Sequence, residues 1–278
     1  MARFSVPGFT VLLLAVALAP LATAQAPEVF ENGVVNAASF TPFGEPGHPT
    51  APGSIVSIFG SNFAWSVLEA MSVPLSTSLG SVSVTFNGIP APLFFVLPDD
   101  PDGQIIAQLP SELVGPTATV EVSTDWGVSF PQDIQINPFS PAIFTDPPGG
   151  VGQGVVVFTH EPGVFAAVPS FWYPHDRPAK VGDFLTIYAN GLGPVHPLVP
   201  DGVAAPSPPL LVKTVAQPVV TLGGVPCPVL FSGRAPGLVA LNQINIQVPK
   251  SVPKGAAVPI QIAIGGVTSS DQVTIALQ

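Results

Sequence analysis

The stretch Val220-Thr-Leu-Gly-Gly-Val-Pro-Cys-Pro-Val-Leu-Phe-Ser-Gly233 decides how this chain reads, because it occurs twice. Val84-Thr-Phe-Asn-Gly-Ile-Pro-Ala-Pro-Leu-Phe-Phe-Val96 has the same order of parts, with Ala91 where Cys227 stands. Each copy is an alternating apolar run, a Gly-containing dipeptide of the hairpin-turn kind, and then Pro-x-Pro. Proline has no N–H to give to a ladder, so Pro90, Pro92, Pro226 and Pro228 belong at an edge or at a bulge where a strand changes sheet. A cysteine that trades places with alanine at such a kink reads as a small buried apolar side chain, rather than as a nucleophile or an intermolecular bridge. It is also the only cysteine, so no intramolecular disulfide can form and the fold must be held by its cores.

Three further blocks repeat in the same order. Pro52-Gly-Ser-Ile-Val-Ser-Ile-Phe-Gly-Ser-Asn-Phe-Ala64 matches Val181-Gly-Asp-Phe-Leu-Thr-Ile-Tyr-Ala-Asn-Gly-Leu-Gly193, and Gln104-Ile-Ile-Ala-Gln-Leu-Pro110 matches Gln243-Ile-Asn-Ile-Gln-Val-Pro249. In the last of these Ile244, Ile246 and Val248 alternate with Gln243, Asn245 and Gln247, the period of a strand with one buried and one wet face. Val120-Glu-Val-Ser-Thr-Asp-Trp-Gly-Val-Ser129, then Ile134-Gln-Ile136, matches Ile260-Gln-Ile-Ala-Ile-Gly-Gly-Val-Thr-Ser269, then Val273-Thr-Ile275. Each copy therefore ends in a hairpin whose turn glycine supplies a positive φ.

Short strands punctuated by 36 prolines and 27 glycines, with almost no helical periodicity, point to an all-β chain of immunoglobulin-type sandwiches rather than to βαβ units. Ser66-Val-Leu-Glu-Ala-Met71 is the one stretch that reads as a helical turn, inside a loop. The expected organisation is a signal peptide over 1–24, a first module over 25–140, a Pro/Gly-rich linker over 141–153 partly packed against a module, and a second module over 154–278.

Arg3, the apolar run Val11 to Ala19 and Ala22-Thr23-Ala24 before Gln25 make a Sec-type signal cut after Ala24, too short to span a bilayer. The expected product is secreted, or held at the cell surface or in the periplasm, with no membrane insertion of the mature chain. Cleavage removes one positive charge and no negative one, moving the formal charge from −10 to −11. That balance repels phosphate backbones and argues against nucleic acid as a partner.

The second half resembles the Solibacter-type C-terminal domain of exported acidobacterial proteins. The resemblance runs from Pro141-Ala-Ile-Phe-Thr145 and Gly152-Gln-Gly154 through Ile187-Tyr-Ala-Asn-Gly-Leu-Gly-Pro194, Pro200-Asp-Gly202, Leu222-Gly-Gly-Val-Pro226 and Gln243-Ile-Asn-Ile-Gln-Val-Pro249 to Val273-Thr-Ile-Ala276. Val34-Val-Asn-Ala-Ala-Ser-Phe40 and Ala51-Pro-Gly-Ser-Ile-Val-Ser-Ile-Phe-Gly60 look like a companion of that lineage. The resemblance implies two tandem immunoglobulin-like (IPT/TIG-like) sandwiches and brings no activity and no catalytic residues. The chain departs from the family after Gly154, where Val155 to Val168 is longer and more apolar.

Candidate sites are few. Asp99, Asp100 and Asp102 in Asp99-Asp-Pro-Asp-Gly103 resemble a calcium loop, but no distal Glu follows, and Asp and Gly at an exposed turn serve the backbone equally well. No other cofactor is indicated. His48, His160, His175 and His196 are scattered without metal-ligand spacing. Gly-x-Ser-x-Gly is absent and nothing singles out a nucleophile, so no enzyme is expected. Trp65, Trp126, Trp172 and Tyr173 fall in loops, where rings with polar tips suit stacking on sugars or docking on a protein; equally, they can plug the sandwich ends. The expected function is a non-catalytic adhesion, assembly or interaction module pair with an extracellular protein partner, or alternatively a protein that binds polysaccharide through its loop tryptophans.

Overall fold

In the computed structural model, residues 25–278 are described apart from 46, 100 and 101; the expected signal segment 1–24 lies outside them. Strands alone make up the regular structure of the described residues. They form two sandwiches of two sheets each. In the first, one sheet runs in the order Glu28–Asn36, Ile55–Ser61, Gly103–Gln108, Leu93–Leu97, Leu68–Glu69. Its partner runs Gly127–Val128, Thr117–Thr124, Val82–Phe86, Ser78–Leu79, with Gln132–Gln135 also on Thr117–Thr124.

The second sandwich repeats this frame. Phe184–Asn190, Asn242–Gln247 and Val229–Arg234 are consecutive in one sheet, and Val273–Leu277, Gly255–Ile264 and Val219–Leu222 in the other. The repeat holds to the residue. Ile58 pairs with Ile105 and Ile187 with Ile244; Val84 pairs with Val122 and Val220 with Ile262. These are the positions the sequence blocks align, and a one-residue slip would turn every inward side chain to solvent. The all-β, immunoglobulin-like reading stands.

Each sandwich closes its own core. Val56, Ile58, Val84, Phe86, Leu93 and Ile105 are fully buried in the first, and Leu185, Ile187, Val220, Leu222, Ile244 and Ile260 in the second. The Pro-x-Pro motif is the crossing point between sheets. Ile89–Pro90 pairs with Val82–Phe86 in one sheet, while Leu93–Leu97, three residues on, lies in the other with a register shift between Leu93 and Phe95. Val225–Cys227 and Val229–Arg234 do the same, with the shift between Val229 and Phe231. Ala91 and Cys227 both point into core at the kink, and burial pushes the Cys227 thiol up to about 11.

One expectation fails. Ser66 to Met71 is not a helical turn: Leu68–Glu69 is a short strand paired with Val96 and Phe95, and Ala70 N donates to Phe94 O at 2.9 Å. So short a run cannot nucleate a helix against water, and Leu93–Leu97 offers it unpaired backbone groups to bond.

The segment 141–153 is built into the second sandwich. Ala142–Ile143 pairs with Asn190 and Ala189, and Gly152–Gln153 runs parallel to Val273 and Thr274. The long apolar stretch after Gly154 folds as a hairpin, Val156–Phe158 against Glu161–Phe165, at the edge of the same sheet.

A buried polar junction ties the sandwiches together. Asn190, fully buried, donates through Nδ2 to Asn36 Oδ1 at 2.9 Å and to Ile55 O at 2.7 Å, and its Oδ1 accepts from Ile55 N at 3.0 Å. Asn36 passes the chain on to Ser140 O at 2.8 Å. Nearby, the Pro200-Asp-Gly202 loop docks on the first sandwich: Asp201 accepts from Gln108 Nε2 at 2.6 Å and Ser111 N at 2.8 Å, and Gly202 N donates to Gln108 Oε1 at 2.8 Å. Gly202 sits at φ +76°, and an added Cβ would press on Leu75 O and the Pro92 ring.

Candidate functional site

At one end of the first sandwich the structure brings together two residues that lie far apart in sequence. Trp65, 83% exposed, meets Trp126 edge to face with ring centroids 5.1 Å apart and planes at 72°. The two indoles wall a cleft of about 160 Å³ completed by Gln25, Asn62, Ala64, Pro98 and Asp99. Asn62 follows Ile55–Ser61 at φ +59°, a left-handed turn that asparagine tolerates, and this turn carries Trp65 out of the sheet. Asp99 holds the turn, its Oδ2 accepting from Asn62 N at 2.8 Å. A large exposed apolar ring beside a carboxylate and an amide can take a ligand with an apolar face and hydroxyl edges.

Trp126 sits in the terminal hairpin, where the internal repeat separates what the fold needs from what it does not. Ser129 Oγ accepts from Val122 N at 3.0 Å, and Ser269 Oγ accepts from Ile262 N at 2.9 Å. Both copies thus use a buried serine to replace a ladder bond at the same point. Around that serine the copies diverge. The first has Trp126, Val128 and Phe130 where the second has Gly266, Thr268 and Ser270. Val128 and Phe130 flank the buried Ser129 and are 57% and 87% exposed. The sandwich closes without them, so the apolar row is an addition to the fold, continuous in sequence with the cleft. Reading the sequence singled out Trp126 but missed Val128, Phe130, Asn62 and Gln25; the copy-to-copy difference at alternate positions was the available signal.

Trp172 and Tyr173 lie elsewhere, on the loop between Glu161–Phe165 and Phe184–Asn190 of the second sandwich. Trp172 is 81% exposed and packs edge to face on Phe171. Tyr173 lies 6.0 Å from Phe165 and lines a separate cavity of about 270 Å³ with Asp146, Gln153 and Asp176. The Asp146 carboxylate pushes the Tyr173 hydroxyl above its usual value. The four aromatic candidates thus form two clusters, one in each sandwich.

Of the acidic candidates, Asp99 serves the Asn62 turn, Asp102 is exposed, and Asp100 lies outside the described residues. Among the described residues no three His, Cys, Asp or Glu side chains converge as a metal site. His48 is buried, its Nδ1 3.2 Å from Thr41 O and its ring against Phe43. No helix of the described residues is long and apolar enough to cross a membrane.

No protein-family model and no curated protein matches the chain. Among solved structures it is similar to the plexin A4 full extracellular region, at 13% identity and TM-score 0.28 over 98% of this chain and 17% of that one. It is similar to SGBP-B of the Bacteroides ovatus mixed-linkage glucan utilization locus, in complex with a mixed-linkage heptasaccharide, at 10% identity and TM-score 0.33 over 83% of this chain and 42% of that one. A third likeness is to the I9-I11 tandem from titin, at 10% identity and TM-score 0.22 over 91% of this chain and 66% of that one. The chain thus spans less than half the length of the first two, and likenesses this low carry no ligand or partner across to it.

Proposed function

We propose that this chain is a non-catalytic binding protein of the cell exterior that holds a neutral polysaccharide on the Trp65–Trp126 cleft of its first sandwich. The observation that carries the reading is the pair of indoles at 5.1 Å, with Trp65 83% exposed and Trp126 in a hairpin whose second copy closes with glycine instead. Leaving so much ring surface in contact with solvent has no benefit for the fold. A sugar ring offers the complement, apolar C–H faces for the indole and hydroxyls for Asp99 and Asn62. The formal charge of −10 disfavours an acidic polymer and leaves a neutral one. The signal-like segment 1–24 supports export, and so does the resemblance of the second half to the Solibacter-type C-terminal domain. Val128 and Phe130 favour a second reading, in which this hairpin docks a protein, because their exposed aliphatic and aromatic side chains follow Trp126 in sequence and bring no hydrogen-bonding groups.

The test is a glycan array and tryptophan-fluorescence titration of residues 25–278, wild type beside Trp65→Ala and Trp126→Ala. The proposal expects binding to neutral glycans that falls at least about tenfold, about 1.4 kcal/mol, in Trp65→Ala while thermal stability is kept. Equal glycan binding by wild type and both variants, or capture of a protein partner lost in Phe130→Ala with no glycan bound, would reject it.

A further inference from the structure

Beside the polar junction, the two sandwiches leave an open groove of about 380 Å³, within the range of roughly 300–1,000 Å³ usual for small-molecule sites. Leu113, Val114 and Ile136 of the first sandwich face Pro194, Val195 and Leu198 of the second. Val114 and Leu198 stand at the rim, 84% and 82% exposed. Arg234, the last residue of Val229–Arg234, also lines the groove and is only 8% exposed.

The guanidinium donates through Nη2 to Gly53 O of the first sandwich at 2.8 Å and through Nη1 to Ala240 O. A guanidinium has five N–H donors, so capacity remains. Both ion pairs among the described residues belong to Arg177, and no described carboxylate reaches Arg234. Asp201 helps it only at a distance, because its oxygens are taken by Gln108 and Ser111. Burial accordingly pulls the guanidinium down to about 10, although Asp201 works the other way. A buried cation without a counter-ion is costly, and an anion placed against it recovers that cost.

We propose that this inter-sandwich groove binds an amphipathic carboxylate, a medium-chain fatty acid, with its headgroup on Arg234 and its alkyl chain along Val114, Val195 and Leu198. An extended peptide ending in a carboxylate fits less well. The groove's side-chain polar groups are those of Ser111 and Arg234, so peptide N–H and C=O groups would go unpaired, whereas an alkyl chain has none to satisfy. The site shares no residue with the Trp65–Trp126 cleft, so either proposal can fail without the other.

Calorimetric titration of residues 25–278 with octanoate, octanol, acetate and an N-acetylated tetrapeptide with a free terminal carboxylate tests this. Octanoate is expected to bind at least about tenfold more tightly than octanol, with acetate showing no heat. Arg234→Met also removes the bond to Gly53, so Leu198→Asp and Val114→Asp carry the decision. Both positions are exposed, both variants keep the melting temperature, and each sets a like charge in the path of the ligand and weakens octanoate at least about tenfold. Equal binding of octanol and octanoate, octanoate affinity unchanged in the rim variants, tighter binding of the peptide, or no octanoate binding at all overturns the proposal.

Discussion

Replacing Asn190 by alanine strikes the junction where the two sandwiches share hydrogen bonds. Three are lost: those to Asn36 Oδ1 and Ile55 O, and the one from Ile55 N. They are not equal. Asn36 Oδ1 keeps Ala38 N at 2.9 Å and Ile55 O keeps Ala37 N at 3.1 Å, so each loss there costs about 0.5–1.5 kcal/mol. Ile55 N loses its side-chain acceptor beside the fully buried Asn190, and an orphaned buried donor costs about 1–3 kcal/mol. The sum is about 2–6 kcal/mol, read from guanidinium unfolding as a lower midpoint. A double-mutant cycle with Asn36→Ala isolates the part that crosses between sandwiches and should return a coupling of about 0.5–3 kcal/mol. A loss under about 1 kcal/mol with strictly additive single variants would refute the reasoning, because then the junction contributes no linkage.

Two further outcomes rest on the cores. Ile58→Ala and Ile187→Ala occupy the same place in the two copies, both fully buried, and each should cost about 2–5 kcal/mol by chemical denaturation; a loss below about 1 kcal/mol at either would deny that the copies are packed alike. Cys227 should resist alkylation by iodoacetamide at pH 8 in the native protein and react fully in denaturant. Its thiol is raised to about 11 when folded, so the stability it contributes is intact below the ordinary thiol pKa and falls as pH climbs towards 11; Cys227→Ala should remove that part of the alkaline loss. Rapid native alkylation at pH 8 contradicts the core-filling role.

The frame was legible because local rules and the duplication agree. Alternation in Gln243 to Val248 marks a half-buried strand, the turn glycines mark hairpins, and positions that match between the copies take matching partners, Ile58 with Ile105 and Ile187 with Ile244. Pro90-Ala-Pro92 revealed its kink because a missing N–H is a local fact. Leu68–Glu69 misled because its strand state comes from the partner Leu93–Leu97, not from its own residues. The junction was hidden for a similar reason: Asn36 and Asn190 lie 154 residues apart, and Gly53 and Arg234 lie 181 apart. An isolated asparagine or arginine in sequence reads as surface, and only the folded chain shows what it touches. Trp65, Trp126, Trp172 and Tyr173 all lie outside the strands, but that Trp65 meets Trp126 while Trp172 stands apart is a matter of tertiary geometry.

Hydrogen exchange on residues 25–278, with and without a neutral oligosaccharide picked by the glycan array, addresses the central claim directly. Slowed exchange should be confined to amides 62–66 and 124–130, with the hairpin around Gly265 and Gly266 unchanged. Protection spread over the second hairpin, or none at the Trp65–Trp126 cleft while the sugar is bound, would contradict the claim that one copy of a duplicated sandwich carries the binding face.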